Sequence, residues 1–168
     1  VRQPQRHKSS ATLDRFEHKL LGLLQQDSTR SNAELAELVG LSEAPCWRRV
    51  QRLKRDGYIR EQVSLLDRRK LGLNTQVFAQ IKLTAVGRSN LNEFADAIKA
   101  FPEVLDCYVL MGSADFMLRI VTQDIEAYER FFFEKLSKVA GIQDVNSMVA
   151  LSEIKSTTAL PLANLADD

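Results

Sequence analysis

The sequence predicts an α+β protein: an N-terminal winged or arm-linked helix-turn-helix module followed by a ferredoxin-like βαββαβ domain. Three observations point there. Helical spacing of apolar residues governs positions 14 to 55, strand and helix patterns alternate from 77 to 154, and the charge changes sign between the two parts. Residues 1–70 hold 15 Lys and Arg against 9 Asp and Glu, whereas residues 71–168 hold 8 against 13, a polarity hidden inside a net charge of +1. Such a split suits a module that faces a polyanion fused to one that does not, because cations near phosphates gain from counterion release.

Residues 1–12 carry Pro4, Ser9 and Ser10 among Arg2, Arg6, His7 and Lys8, without periodicity. They read as a flexible basic arm, either an expression remnant or a tail that touches a nucleic-acid backbone. The helix-turn-helix module occupies 13–65. After an Asp14-x-x-Glu17 start signal, Phe16, Leu20, Leu23 and Leu24 recur at i, i+4, i+7 and i+8, predicting a helix to about Gln26. Ser31-Asn32-Ala33-Glu34 matches a capping box and opens a short second helix carrying Leu35, Ala36, Leu38 and Val39. Gly40 tolerates the left-handed backbone that stops a helix tightly, Leu41 plugs the turn, and Ser42 is placed to cap a third helix whose first turn admits Pro45.

The third helix, Glu43 to Arg55, sorts its residues by face. Cys46, Val50 and Leu53 form an apolar stripe, and Arg48, Arg52 and Arg55 lie at the same spacing about 160° around the axis. Tyr58 to Leu65 reads as extended, anchored by Ile59 and Val63, and suits a small wing or arm strand. A linker over 66–74 contains Arg68-Arg69-Lys70 and Gly72.

The second domain, 75–162, begins with a period-two strand through Val77, Ala79, Ile81 and Leu83. A helix with Leu91, Phe94, Ala95 and Ile98 ends before Pro102. A strand over Val104 to Met111 turns at Gly112 to Asp115 into another, with Phe116, Leu118 and Ile120 on one side and Met117, Arg119 and Val121 on the other. A helix with Ile125, Tyr128, Phe132 and Leu136 breaks at Gly141 before a last strand through Ile142 to Ile154, leaving 163–168 as a tail. Two helices cover one face of the four-stranded sheet, while Met117, Val121, Met148 and Ala150 make parts of the other apolar enough for self-association.

Composition excludes several classes. No run approaches the roughly 18 apolar residues that span a bilayer, and Val1 to Ser10 lacks the apolar core of a secretion signal, so a cytoplasmic protein with no membrane partner is expected. Cys46 and Cys107 have neither CxxC spacing nor paired histidines nearby, and read as small apolar fillers rather than a metal site or a disulfide. The two histidines, His7 and His18, lie outside the second domain, and no nucleophile triad, metal-ligand set or phosphate-cradling glycine loop is present. No catalytic residue, metal or cofactor is therefore expected. The third helix instead presents donors away from its packing stripe. By position, Ser42, Glu43, Ala44, Trp47 and Arg48 approach base edges, and Arg49, Arg52, Lys54 and Arg55 suit phosphates. Trp47 suits partial core equally well.

Leu41-Ser42-Glu43-Ala44-Pro45-Cys46-Trp47-Arg48-Arg49-Val50-Gln51-Arg52-Leu53, followed by Gly57-Tyr58-Ile59, resembles the recognition-helix signature of the leucine-responsive/asparagine-regulator (Lrp/AsnC, feast/famine) family. The resemblance continues through Leu65-Leu66-Asp67, Leu71-Gly72-Leu73, Pro102-Glu103-Val104, Met111-Gly112-Ser113-Ala114-Asp115-Phe116 and Glu153-Ile154-Lys155-Ser156-Thr157-Thr158-Ala159-Leu160-Pro161-Leu162. It implies a transcriptional regulator that binds double-stranded DNA, forms homodimers through its sheets and assembles further, often to octamers, at the nucleoid. It further implies an effector, usually an amino acid, bound between dimers. The matching positions are Gly112, Ser113, Ala114 and Asp115, with Ile125, Met148, Val149 and Ala150.

Gly112 would let backbone N–H groups approach a carboxylate and Asp115 would orient an ammonium group; equally, both residue types suit a plain hairpin turn. Flexible methionines and Ala150 favour a medium apolar side chain such as leucine or methionine. Two other functions stand beside the effector-responsive regulator: an effector-independent DNA-organising oligomer, and, with no chemistry to support it, an enzyme on the second domain.

Overall fold

The computed structural model describes residues 13–162; the expected basic arm (1–12) and tail (163–168) lie outside the described residues. The chain divides into two compact units, one of Leu66–Ile154 and one combining 13–65 with 155–162. The strip 155–162, expected with the sheet, instead groups with the helical unit. Gln25 in the first helix is the reason: its amide donates to the Leu160 carbonyl at 3.0 Å and accepts from the Leu160 N–H at 2.9 Å, as a neighbouring strand would.

In the helical unit, α1 spans Arg15–Gln26, α2 Asn32–Val39 and α3 Glu43–Arg55. The predicted capping box of Ser31 with Glu34 is present, and the Asp14-x-x-Glu17 start signal proves to be a second one. Gly40 takes φ 78°, ψ 41°, a left-handed conformation that costs a residue with a Cβ. There it lets the N–H groups of Gly40 and Leu41 both close on the Ala36 carbonyl. Ser42 occupies the N-cap position of α3 but makes no side-chain cap hydrogen bond. The turn is held instead by Asn32, whose Nδ2 donates to the Glu43 carbonyl at 2.9 Å and ties the start of α2 to the start of α3. Leu20, Leu35, Ala36, Val39, Cys46, Val50 and Leu53 form the core. Residues 60–67 are exposed and carry no strand, so the segment read as a small wing or an arm strand has no ladder pairing.

The second unit contains β1 (Thr75–Leu83), a short α4 (Ala85–Ser89) that the sequence pattern did not reveal, α5 (Leu91–Lys99), β2 (Val104–Val109), β3 (Phe116–Thr122), α6 (Ile125–Glu134), a 3-10 turn over Leu136–Lys138 and β4 (Ile142–Val149). All pairings are antiparallel, in the order β2-β3-β1-β4. That order is the ferredoxin-like one. The last strand ends at Val149, short of the predicted Ile154. Val77, Ala79, Ile81, Leu83, Phe116, Leu118 and Ile120 bury their side chains against Phe94 and Ile98 of α5 and Tyr128 and Phe131 of α6. Ile125, expected in that stripe, is exposed, and Phe131 takes the deeper place beside half-buried Phe132. Cys46 is core as expected, but Cys107 is exposed on the edge strand β2.

Period-two alternation fixes the opposite face. Register pairs Phe78 with Arg119 and Met148, and Gln80 with Met117, which also pairs with Tyr108. These residues share the face that α5 and α6 leave open.

Candidate nucleic-acid interface and ligand region

The α3 surface separates into two sets of arginines. Arg48 and Arg55 are exposed, as are Ser42, Glu43, Ala44 and Lys54. Trp47 is 54% exposed, which settles its alternative in favour of the surface. Arg49 and Arg52, expected to be open for phosphates, turn toward α1. Arg49 Nη2 lies 3.1 Å from Asp14 Oδ2 with its guanidinium over the Phe16 ring, and Arg52 Nη1 lies 3.1 Å from Glu17 Oε1. Arg52 also reaches Asp56 at 3.4 Å. The helical pattern gave the apolar stripe correctly but grouped Arg52 with Arg48 and Arg55 on the open face. It could not show that α1 brings two carboxylates to the flank of the arginine face, because that depends on how two helices cross.

Burial acts to raise the pKa of Asp14, but the Glu17 N–H, the Arg49 guanidinium and its charge, and the Phe16 N–H outweigh it and hold the carboxyl below its ordinary 3.8. A carboxyl that binds its proton more weakly when folded adds stability above its unfolded pKa and loses it as pH falls through the folded one. Melting temperature followed between about pH 5 and about pH 2 should therefore decline, and Asp14→Asn should decline less steeply. Parallel curves would remove this contribution.

At the ligand region the structure keeps the named residues in two groups. The hairpin tip Gly112–Asp115 stands at the far end of β1, where the Asp115 N–H donates to the Ile81 carbonyl, 2.9 Å away. Ala150 lies at the near end, donating to the Gln76 carbonyl, beside Met148 and Val149 on β4. Ile125 starts α6 just after β3, whose final residue pairs with Thr75, so it belongs to the near end. At roughly 3.3 Å per residue, about 16 Å of strand separates the two groups in one chain.

The Asp115 carboxylate is already engaged. Its Oδ2 accepts from the Leu83 N–H at 2.7 Å and faces Arg88 Nη1 at 3.5 Å, while Arg88 donates to the Leu83 carbonyl at 2.7 Å. Sequence reasoning missed Arg88 with α4; the signal was Thr84, which caps Gly87 three residues on. A hollow of about 420 Å³ lined by Glu93, Ala97, Phe101, Lys135, Lys138 and Val139, among others, contains none of the predicted ligand residues. Among the described residues no group of three or more His, Cys, Asp or Glu side chains could hold a metal ion, and no helix is long and apolar enough to cross a membrane.

Comparison with known proteins agrees with this architecture. Residues 13–60 match a winged helix-turn-helix DNA-binding family, and residues 76–160 match the Lrp/AsnC ligand binding domain. The chain is 39% identical over 150 residues to the DNA-binding transcriptional activator DecR of Escherichia coli, covering 89% of this chain and 99% of that one. It is 38% identical over 155 residues to the glutamate uptake regulatory protein of Zymomonas mobilis, covering 92% and 94%. Among solved structures, a Neisseria meningitidis transcriptional regulator in complex with L-Met superimposes with a TM-score of 0.87 at 36% identity, covering 92% of this chain and 99% of that one. An AsnC family transcriptional regulator from Agrobacterium tumefaciens gives 0.86 at 42%, covering 91% and 99%. With both halves matched in order and relatives aligned along nearly their full length, the chain belongs to the Lrp/AsnC family of DNA-binding transcriptional regulators, a family of regulators rather than enzymes.

Proposed function

We propose that α3 reads the major groove of double-stranded DNA through Ser42, Glu43, Ala44, Trp47 and Arg48, with Lys54 and Arg55 on flanking phosphates. We propose also that the sheet unit senses an amino acid whose binding changes assembly or DNA affinity. The observation that carries the first part is the exposure of Trp47, Arg48 and Arg55 on a helix whose opposite stripe, Cys46, Val50 and Leu53, is buried. Arginine forks on base edges and lysine charges on phosphates are the ordinary division of labour on such a helix.

The sensing part rests on the family's ligand-binding domain and on the L-Met bound by the similar Neisseria regulator. A medium apolar amino acid, methionine or leucine, fits the lining of Met148, Val149, Ala150 and Ile125. The separation of these residues from Gly112–Asp115 supports a site completed by a neighbouring subunit. The open sheet face supports a homodimer, and further assembly to an octamer would bring hairpin tips of different dimers together. The site of action is the cytoplasmic nucleoid.

The test uses a duplex selected by the protein from a random library, with binding followed by fluorescence anisotropy across KCl concentrations. Arg48→Ala with Arg55→Ala should weaken binding at least roughly tenfold and flatten the slope of log K against log salt by about one, with the circular dichroism spectrum unchanged. An unflattened slope would count against the proposed face. Calorimetric titration with the twenty amino acids tests the sensing part; heat from none of them leaves DNA binding standing and favours an effector-independent DNA organiser.

A further inference from the structure

We infer that the capping box at the start of α1 is also a bracket that sets the rotation of the recognition helix, making Asp14 and Glu17 positioning residues for DNA reading although they touch no DNA. The inference rests on α3 being the reading helix.

The geometry is reciprocal. Asp14 Oδ1 accepts from the Glu17 N–H at 2.8 Å, and Asp14 Oδ2 faces Arg49 at 3.1 Å. Glu17 Oε2 accepts from the Asp14 N–H at 3.1 Å, and Glu17 Oε1 faces Arg52 at 3.1 Å. Each carboxylate thus spends one oxygen on ending its own helix and the other on an arginine of α3. The two arginines are three residues apart, so they grip from successive turns of one side. Two grips at different heights resist both rolling and sliding of α3, which one would not.

Burial shows that the arrangement is built into the fold. The Glu17 side chain is 1% exposed, and those of Arg49 and Arg52 are 31% and 34% exposed. A buried carboxylate without its cation is strongly unfavourable, so Glu17 holds Arg52 rather than lending it. Phosphates do not have the same claim on these two arginines as on Arg48 and Arg55, which are exposed. The bracket therefore acts on specificity. Bidentate base contacts by Arg48 depend on the helix's angle, whereas attraction to phosphates scarcely does.

The experiment compares affinity for the library-selected duplex with affinity for a random-sequence duplex of equal length, across KCl concentrations, in D14N, E17Q and R49Q. Thermal melts verify that each variant is folded. The expected result is a loss of the selected-over-random ratio of roughly tenfold, with the salt slope unchanged because no phosphate contact is lost. A purely structural role would lower the melting temperature and leave the ratio of the folded protein alone. If instead D14N or E17Q tightens binding to both duplexes, or R49Q flattens the slope, the arginines leave the bracket for phosphates and the inference is overturned. An unchanged ratio in D14N and R49Q overturns it as well. Should E17Q fail to fold, D14N and R49Q decide, since the Asp14 side chain is 43% exposed and bears less of the core. Failure of the reading face itself appears separately, as an unflattened slope in the variant that carries both Arg48→Ala and Arg55→Ala.

Discussion

Gly87→Ala should destabilise the sheet unit by about 3 kcal/mol, whereas Gly22→Ala should stabilise the helical unit by about 0.5 to 1 kcal/mol. The substitution is the same and the sign opposite. A Cβ on Gly87 would lie 2.4 Å from the Gly141 carbonyl oxygen, 2.8 Å from its Cα and 2.9 Å from its carbonyl carbon. All three are backbone atoms, so no rotamer change relieves them. The same carbonyl accepts the Thr84 N–H at 2.9 Å, and the Thr84 side chain caps the Gly87 N–H at 3.0 Å. Forcing the two glycines apart strains both bonds and pulls α4 from the turn before β4. Gly141 cannot give way easily, because its φ of 85° already belongs to glycine. Gly22 stands inside α1 with nothing within 4 Å of a Cβ, and alanine there only removes the entropy penalty of glycine in a helix. Urea titrations separate the two effects. Trp47, the single tryptophan, reports the helical unit alone, whereas circular dichroism reports both, so a shift seen only in the second belongs to the sheet unit. A Gly87→Ala midpoint equal to the unmodified protein's would show that the close approach is relaxed in solution.

The contrast also marks what is legible in a sequence. Residues whose role depends on chain neighbours were readable. The Asp14 and Ser31 caps, the stop at Gly40 and the bounds of α3 all follow from local backbone chemistry, and the structure has them where the pattern put them. The period-two runs at 77–83 and 116–120 were readable for the same reason, since alternation sorts a strand's faces. Roles set by crossings between elements were hidden. Nothing near Arg49 or Arg52 announces Asp14 and Glu17, which stand more than thirty positions earlier, and nothing near Gly87 announces Gly141. The ligand region failed differently. A resemblance carries positions over one by one, and only the register shows that Gly112–Asp115 and Met148–Ala150 sit at opposite ends of β1.

Met117→Lys should convert the proposed dimer to a monomer while leaving the subunit folded. Met117 lies on the open face, in register with Gln80 on one side and Tyr108 on the other, and is half-buried in the isolated chain. Lysine has a stem of similar length and in the monomer carries its ammonium out to water, so the helix-covered core of Phe116, Leu118 and Ile120 is untouched. In a dimer built on this face the ammonium would be buried without a partner. Two-fold symmetry would place a second copy of the same charge in the same interface. Asp106, the carboxylate nearby on this face, is already held by Arg119 and so is not free to serve as the counter-charge. A loss of about 3 kcal/mol or more is expected, raising the dissociation constant at least roughly hundredfold. Sedimentation equilibrium measures it, and circular dichroism confirms the fold. A variant still dimeric at low micromolar concentration would move the interface elsewhere. A monomer, by contrast, should also lose DNA affinity, because two recognition helices held on one two-fold axis bind paired half-sites far more tightly than one helix alone.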